Sequence, residues 1–298
     1  MSVNVGYGIG YYYKAVKDNI KEMIHIDYLC DKKWDDSDII EYDGIPVIKR
    51  EQLATMPDIQ VIIFSCNDPV KKQLSAEFKS KGISYKFASD IMGAIRLTGT
   101  DIKRRGVEGS LRIGTNSIRY DESLPDDIVI TLSGMNATIE IGKNLIIDKF
   151  SINAGNNCEV CIGNDVRVII ADVQVAYAKF TIGNDCLIAS NVSFRTHDSH
   201  FIFDKTTRER INRAKDVEVG DQVWIAAGAK LLGGAKIGTG SVVGANAVTS
   251  SQFSDHVIIA GVPAKVIREN IIWSKDNTQY ADFDYFDECV SQDALKYL

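Results

Sequence analysis

From Ile141 onward, a short branched residue returns every six positions along this chain. Ile141 and Ile147, Ile162 and Val168, and Ile182 and Ile188 are such pairs, and Val219, Ile225, Leu231, Ile237 and Val243 form an unbroken series. Glycine follows repeatedly, at Gly142, Gly163, Gly183, Gly220, Gly238 and Gly244. An α-helix repeats near about 3.6 residues and a strand alternates at about 2, so a six-residue period belongs to neither alone. It fits a parallel β-helix, in which each step is one short flat face and three faces close a triangular coil. The branched residue then points into a narrow core, and the small residue after it lets the backbone turn the corner.

Bulk properties narrow the class of protein. With 298 residues the chain holds one large domain or two ordinary ones. A formal charge of −6 and a pI near 5.3 argue against a general nucleic-acid binder. Met1-Ser2-Val3-Asn4 lacks the features of a signal peptide, and no apolar run approaches the ~18 residues of a membrane helix. The expectation is a cytoplasmic protein without a membrane span. Its six scattered cysteines read as free thiols. Cys158 and Cys161 form one C-x-x-C inside the repeat. A zinc site needs a second pair or nearby histidines and a redox motif opens a helix, so these read as coil residues. No metal is expected.

Residues 1–95 alternate strand and helix. A strand at 3–5 ends in Gly6-Tyr7-Gly8-Ile9-Gly10, a helix follows over 11–23, and a strand is expected over 24–29, ending at Cys30-Asp31. A buried strand at 61–65, a helix at 70–81 and a strand at 83–87 continue the pattern. Such alternation predicts an α/β, Rossmann-like domain with ligands at the strand C-termini. Gly6 and Gly8 match the first two glycines of a G-x-G-x-x-G turn, and Asp31 lies where an acidic group meets ribose hydroxyls. A nucleotide or nucleotide-sugar site, a redox dinucleotide site and a ligand-free tight turn are the alternatives. This part weakly resembles the N-terminal domain of nucleotide-sugar N-acyltransferases. Residues 96–130 read as a connector with irregular first coils, 131–270 as the β-helix, and 271–298 as a tail ending in a short helix.

The repeat breaks once. Ile182 and Val219 lie 37 residues apart, and the polar stretch 201–215 reads as a loop thrown out of the coil. Immediately before it stands Thr196-His197-Asp198-Ser199-His200, which holds two of the four histidines. An imidazole with an unperturbed pKa of ~6.5 suits proton transfer. A general base, loop histidines facing solvent, and metal ligands are the alternatives.

Asp198-Ser199-His200-Phe201-Ile202, the loop, Val219-Gly220-Asp221-Gln222-Val223-Trp224-Ile225 and the terminal Ala260-Gly261-Val262-Pro263-Ala264-Lys265 together resemble the hexapeptide-repeat O-acetyltransferases. The resemblance covers roughly residues 135–273. It implies a left-handed parallel β-helix, a homotrimer, and acetyl-CoA as co-substrate in a groove between subunits. It implies His200 as the catalytic base, with His197, Asp198 and Trp224 at the acceptor. Ala227 and Ala245 would meet the pantetheine arm, Lys265 and Arg268 the phosphates, and Pro263 the adenine. Ser250, where the family often carries a threonine before a lysine, would also meet the acyl-CoA, and Ser251 replaces that lysine. A backbone N–H after Trp224 would stabilise the oxyanion.

The leading expectation is acetyl transfer to a sugar hydroxyl of a bacterial surface polysaccharide or its precursor. N-acylation of a nucleotide-linked amino sugar and a non-catalytic β-helix scaffold are the rivals. A β-helix carbonic anhydrase lacks a third histidine ligand, since His25 and His256 are poorly spaced.

Overall fold

The computed structural model describes residues 2–65, 68–88, 93–275 and 295–297. Backbone proximity divides the chain into two units, Met1–Ala94 with Ile113–Thr115, and Ile95–Arg112 with Asn116–Leu298. In the first, Val3–Tyr7, Tyr28–Cys30, Ile59–Ile63 and Ser84–Phe87 form a parallel sheet with Val3–Tyr7 and Ile59–Ile63 in its centre. Parallel neighbours need a crossover, supplied by the helices Tyr11–Met23 and Asp68–Ser80. Val5, Val61 and Ile63 are fully buried between these layers.

The strand expected at 24–29 begins only at Tyr28 and runs on to Cys30. The preceding residues are a turn, in which the Asp27 carboxylate accepts from the Asn4 N–H at 2.8 Å. A second carboxylate, Asp43, joins the first helix to a small hairpin of Glu41–Tyr42 and Ile45–Pro46. It accepts from Lys17 at 2.7 Å and from Lys21 and Tyr13 at 3.1 Å.

The second unit is a parallel β-helix. One face stacks Asn116–Tyr120, Ala137–Ile141, Cys158–Ile162, Lys179–Ile182, Val217–Val219 and Lys236–Ile237. A second face runs through Ile146–Ala154, Arg167–Val175, Leu187–Ile188, Trp224–Ile225, Val242–Val243 and Ile258–Gly261. The third takes Ile128–Leu132, the far halves of those two long strands, Val192–Arg195, Lys230–Leu232 and Val248–Thr249. A chain that visits three parallel ladders in turn winds a triangular coil. All eleven residues of the six-residue series are buried in its core.

The glycines do a different job from the one expected. Gly142, Gly163, Gly183 and Gly220 keep ordinary φ angles, and the corner is turned two residues later by Asn144 (φ 58°), Asp165 (58°), Asp185 (58°) and Gln222 (49°). Asn and Asp tolerate this left-handed region better than most side chains. Glycine is needed because the coils press together. A Cβ on Gly163 would lie 2.6 Å from the carbonyl carbon of Gly183, and one on Gly183 equally close to that of Gly220. Side chains clip the same edge vertically: Asn184 Oδ1 accepts from Asn164 N–H (2.9 Å) and Asp221 Oδ1 from Asn184 N–H (2.6 Å).

Residues 95–105 precede the coil, with Ile95–Thr98 antiparallel to Ile128–Leu132 and the helix Gly99–Arg105 capped by Thr98. At the other end, Ala264–Arg268 folds back on Ile258–Gly261. The chain then descends the prism, with Ile271 N–H on His256 O (3.0 Å), Trp273 Nε1–H on Gln222 O (2.8 Å) and Lys275 Nζ on Asp165 O (2.8 Å). Lys296 and Tyr297 meet Asp185. The expected helical tail falls mainly on 276–294 and 298, outside the described residues. Among the described residues no helix is long and apolar enough to cross a membrane.

Candidate active site

The interruption is an ordered hairpin, not a slack polar loop. Its two ends are tied where it leaves the coil, Lys215 N–H donating to Thr196 O at 3.0 Å. Thr196 is buried, and its hydroxyl accepts from Ala176 N–H at 3.2 Å. Phe203 pairs with Arg210 across the hairpin, and the Asp204 carboxylate closes the tip by accepting from Thr206 and Thr207 N–H, each at 2.7 Å. Local pairing of this kind satisfies backbone groups that an open loop would leave to water.

Both histidines sit at the hairpin root, in different states. His197 is half-buried and its Nδ1 accepts from Ser199 N–H at 3.1 Å. A neutral imidazole so bonded carries its proton on Nε2 and has no free lone pair. Burial lowers the His197 pKa, Arg195 and Arg210 add to the effect, and Asp198 opposes it. His200 is exposed, and its ring makes no hydrogen bond among the described residues. Its backbone is held firmly, with N–H on Asp198 O (2.7 Å) and O accepting from Asn212 Nδ2 (2.7 Å). Asn212 also donates to Asp198 Oδ2 (3.0 Å) and accepts from Ile202 N–H (2.8 Å). Of the two rings, His200 is the one with a lone pair to offer.

A second group gathers at another edge. Trp224 points outward from the second face, between Leu187 and Val242 in the ladder, with its ring 6.1 Å from that of Trp273. It opens onto a cleft of about 500 Å³ whose walls include Ile146, Arg167, Leu187 and Lys275. At the next corner Ala245 stacks on Ala227, Asn246 N–H donating to Ala227 O at 2.9 Å. The N–H groups of Ala226, Gly228, Gly244 and Asn246 are all bonded, whereas those of Ala227 and Ala245 have no partner among the described residues. Lys265 lies opposite Ala260 and Arg268 opposite Ile258 in the closing hairpin, with Pro263 at its turn. Neither cation has an acidic partner among the described residues. Two free N–H groups leading to two free cations suit an amide-rich arm that ends in phosphates.

Ser250 is not on this track. It follows the third face, and its carbonyl would meet a Cβ on Gly234 at 3.1 Å, while one on Gly233 would meet Thr196 O at 2.9 Å. Ser250 therefore shares the histidine edge. Within this chain, His197, Asp198, His200 and Ser250 occupy one edge, and Trp224, Ala227, Ala245, Pro263, Lys265 and Arg268 cluster around another. The third face separates them.

In the first unit, Gly8 has φ +89° and a Cβ there would lie 3.2 Å from Phe64 O, so the turn requires glycine. Gly6 keeps an ordinary φ, and a Cβ would lie 2.8 Å from Leu29 Cδ2. The Asp31 carboxylate, a candidate for ribose hydroxyls, accepts from Ile9 N–H (2.5 Å) and Lys33 N–H (3.0 Å). It stitches the glycine turn to the strand Tyr28–Cys30. Cys158 and Cys161 point to opposite sides of their strand, so the two thiols do not converge. Among the described residues no group of three or more histidine, cysteine or acidic side chains is arranged to hold a metal ion. Thr196 and Asn212, which build the histidine corner, carry no motif that singles them out in the sequence.

The chain is similar to several known proteins. Residues 216–251 match the family of bacterial transferase hexapeptides, described by six repeats. A polysialic acid O-acetyltransferase of Neisseria meningitidis is 30% identical over 205 residues, covering 60% of this chain and 93% of that protein. A putative lipopolysaccharide biosynthesis O-acetyl transferase of Escherichia coli K12 is 37% identical over 201 residues, covering 62% and 94%. The polysialic acid O-acetyltransferase of Escherichia coli O1:K1 is 34% identical over 138 residues, and this chain spans 45% of its length. A solved polySia-specific acetyltransferase superposes with a TM-score of 0.46 at 26% identity, covering 55% of this chain and 83% of that one. With two relatives at or above 30% identity matched over more than nine-tenths of their length, the chain belongs to the hexapeptide-repeat acetyltransferases.

Proposed function

We propose that this protein transfers an acetyl group from acetyl-CoA to a sugar hydroxyl of a bacterial surface polysaccharide or its precursor, with His200 as general base. The observation that carries the reading is the pairing of an unbonded His200 ring on a fixed backbone with a separate track of free N–H groups and cations. His200 takes the hydroxyl proton as the oxygen attacks the thioester carbon. The Ala227 N–H, without a partner among the described residues at the corner after Trp224, serves as the oxyanion donor. Ala245, Pro263, Lys265 and Arg268 hold the pantetheine arm and phosphates, and the small side chains leave the backbone accessible. Asp198 and His197 frame the acceptor side.

Because the two groups lie on different edges of one prism, a site that uses both is completed by a neighbouring copy. A homotrimer with three equivalent interfaces meets that need. The six-residue coils with a left-handed corner residue fit the left-handed β-helix of this family. The parallel sheet of the first unit fits a Rossmann-like domain, and a cytoplasmic location suits an enzyme that draws on acetyl-CoA. His200→Ala is expected to abolish acceptor-dependent release of coenzyme A while leaving the oligomer intact by light scattering. An unchanged rate would remove His200 from its role.

A further inference from the structure

We propose that Arg210 binds a carboxylate of the acceptor at the histidine corner, so that the acceptor is an acidic sugar. This rests on the reading of the His200 edge as the acceptor side. The chain carries a net charge of −6, yet between Arg195 and Lys215 six cations stand against three acids. Two of those acids are engaged locally. Asp204 accepts from Thr206 and Thr207 N–H, and Asp198 from Asn212. The basic character of this edge is therefore left for something outside the hairpin.

Arg210 is built in place rather than hanging free. Its guanidinium lies 4.4 Å over the Phe201 ring, and Nη2 donates to Asn212 O at 3.1 Å. That same Asn212 fixes the His200 carbonyl and Asp198, so one residue sets both the guanidinium and the histidine segment. Arg210 has no carboxylate partner among the described residues. Arg195 stands two residues before His197 and is steadied by Asp172 (3.0 Å) and Ser193 (3.2 Å). A guanidinium offers five N–H donors in a planar fork that matches a carboxylate, and Arg210 leaves part of its fork unused. Coenzyme A carries its phosphates at the far end of the pantetheine arm from the thioester. An anion beside the base therefore comes from the acceptor.

The test compares polysialic acid with the same polymer after its carboxylates are reduced to alcohols. Wild type is expected to acetylate the acidic polymer with the lower KM. Arg210→Gln should raise that KM by about 10- to 100-fold, the loss of a charge-assisted hydrogen bond, and erase the preference for the acidic polymer. Its KM for acetyl-CoA should stay within about twofold, since the phosphates sit at the other edge. Arg210→Lys should recover part of the preference, and thermal melting of each variant checks that the hairpin holds. Equal turnover of both polymers by wild type, acetylation of neutral sugars alone, or a rise in KM for acetyl-CoA in Arg210→Gln overturns the carboxylate site while leaving the acetyltransferase standing. Failure to acetylate any carbohydrate overturns the acetyltransferase reading itself.

Discussion

Asn212 fixes His200 from twelve residues away, and no spacing rule would have picked it out. His200 and Trp224 stand out in the sequence through the interruption of the repeat and through motifs that resemble a known family. Asn212 and Thr196 matter through hydrogen bonds that exist only once the hairpin has closed. Thr196 offers the sharper test of this difference. It is 1% exposed, and its hydroxyl is the acceptor for the buried Ala176 N–H. Thr196→Val keeps the shape and orphans that donor, which should cost about 1–3 kcal/mol in a urea titration. A loss near zero would mean that the hydroxyl is not holding the root of the hairpin. Asp31 teaches the reverse lesson. Its position after the glycine turn was legible, but not that its oxygens close on Ile9 and Lys33.

At the scale of elements, the six-residue period predicted the ladders, since each short face sends a branched side chain into the core at a fixed interval. The reason for glycine was misread because stacking between coils is invisible along one strand. A Cβ that fits its own coil strikes the next. The hairpin of 197–214 looked like open polar loop because its pairing is short and its apolar residues Phe201, Ile202, Phe203 and Ile211 stay exposed. In the first unit, Asp43 binds helix to hairpin. Hydrogen bonds from Lys17 above all, then from Lys21 and Tyr13, overcome partial burial and push its pKa down to about 2. A folded pKa below the unfolded value of ~3.9 means stability that is fully present above that value and lost as pH falls towards 2. Asn suits the left-handed backbone at this position (φ 59°). Asp43→Asn should therefore be less stable than wild type near about pH 5, with the gap closing as pH approaches 2. A gap that stays constant with pH would show that the ion pairs contribute nothing.

For the whole molecule, the decisive fact is that the residues proposed for the acceptor and those proposed for the coenzyme lie on different edges of one prism. If a site is shared between copies, two inactive variants repair each other. Co-expressed His200→Ala and Trp224→Ala subunits should regain roughly a quarter of wild-type coenzyme A release in randomly mixed trimers. Activity no higher than that of either variant alone would mean that each protomer works by itself. The sequence by itself determined the β-helix, the place of its interruption, and the family, because a periodic core and a spaced set of motifs are properties of the chain. Only the tertiary structure decided which histidine keeps a free lone pair, why the glycines are needed, and how the site residues divide between two edges. The histidine distinction depends on a bond made only once the hairpin root has folded, and the other two on coil resting upon coil, a relation between residues 18 to 37 positions apart that no local pattern encodes.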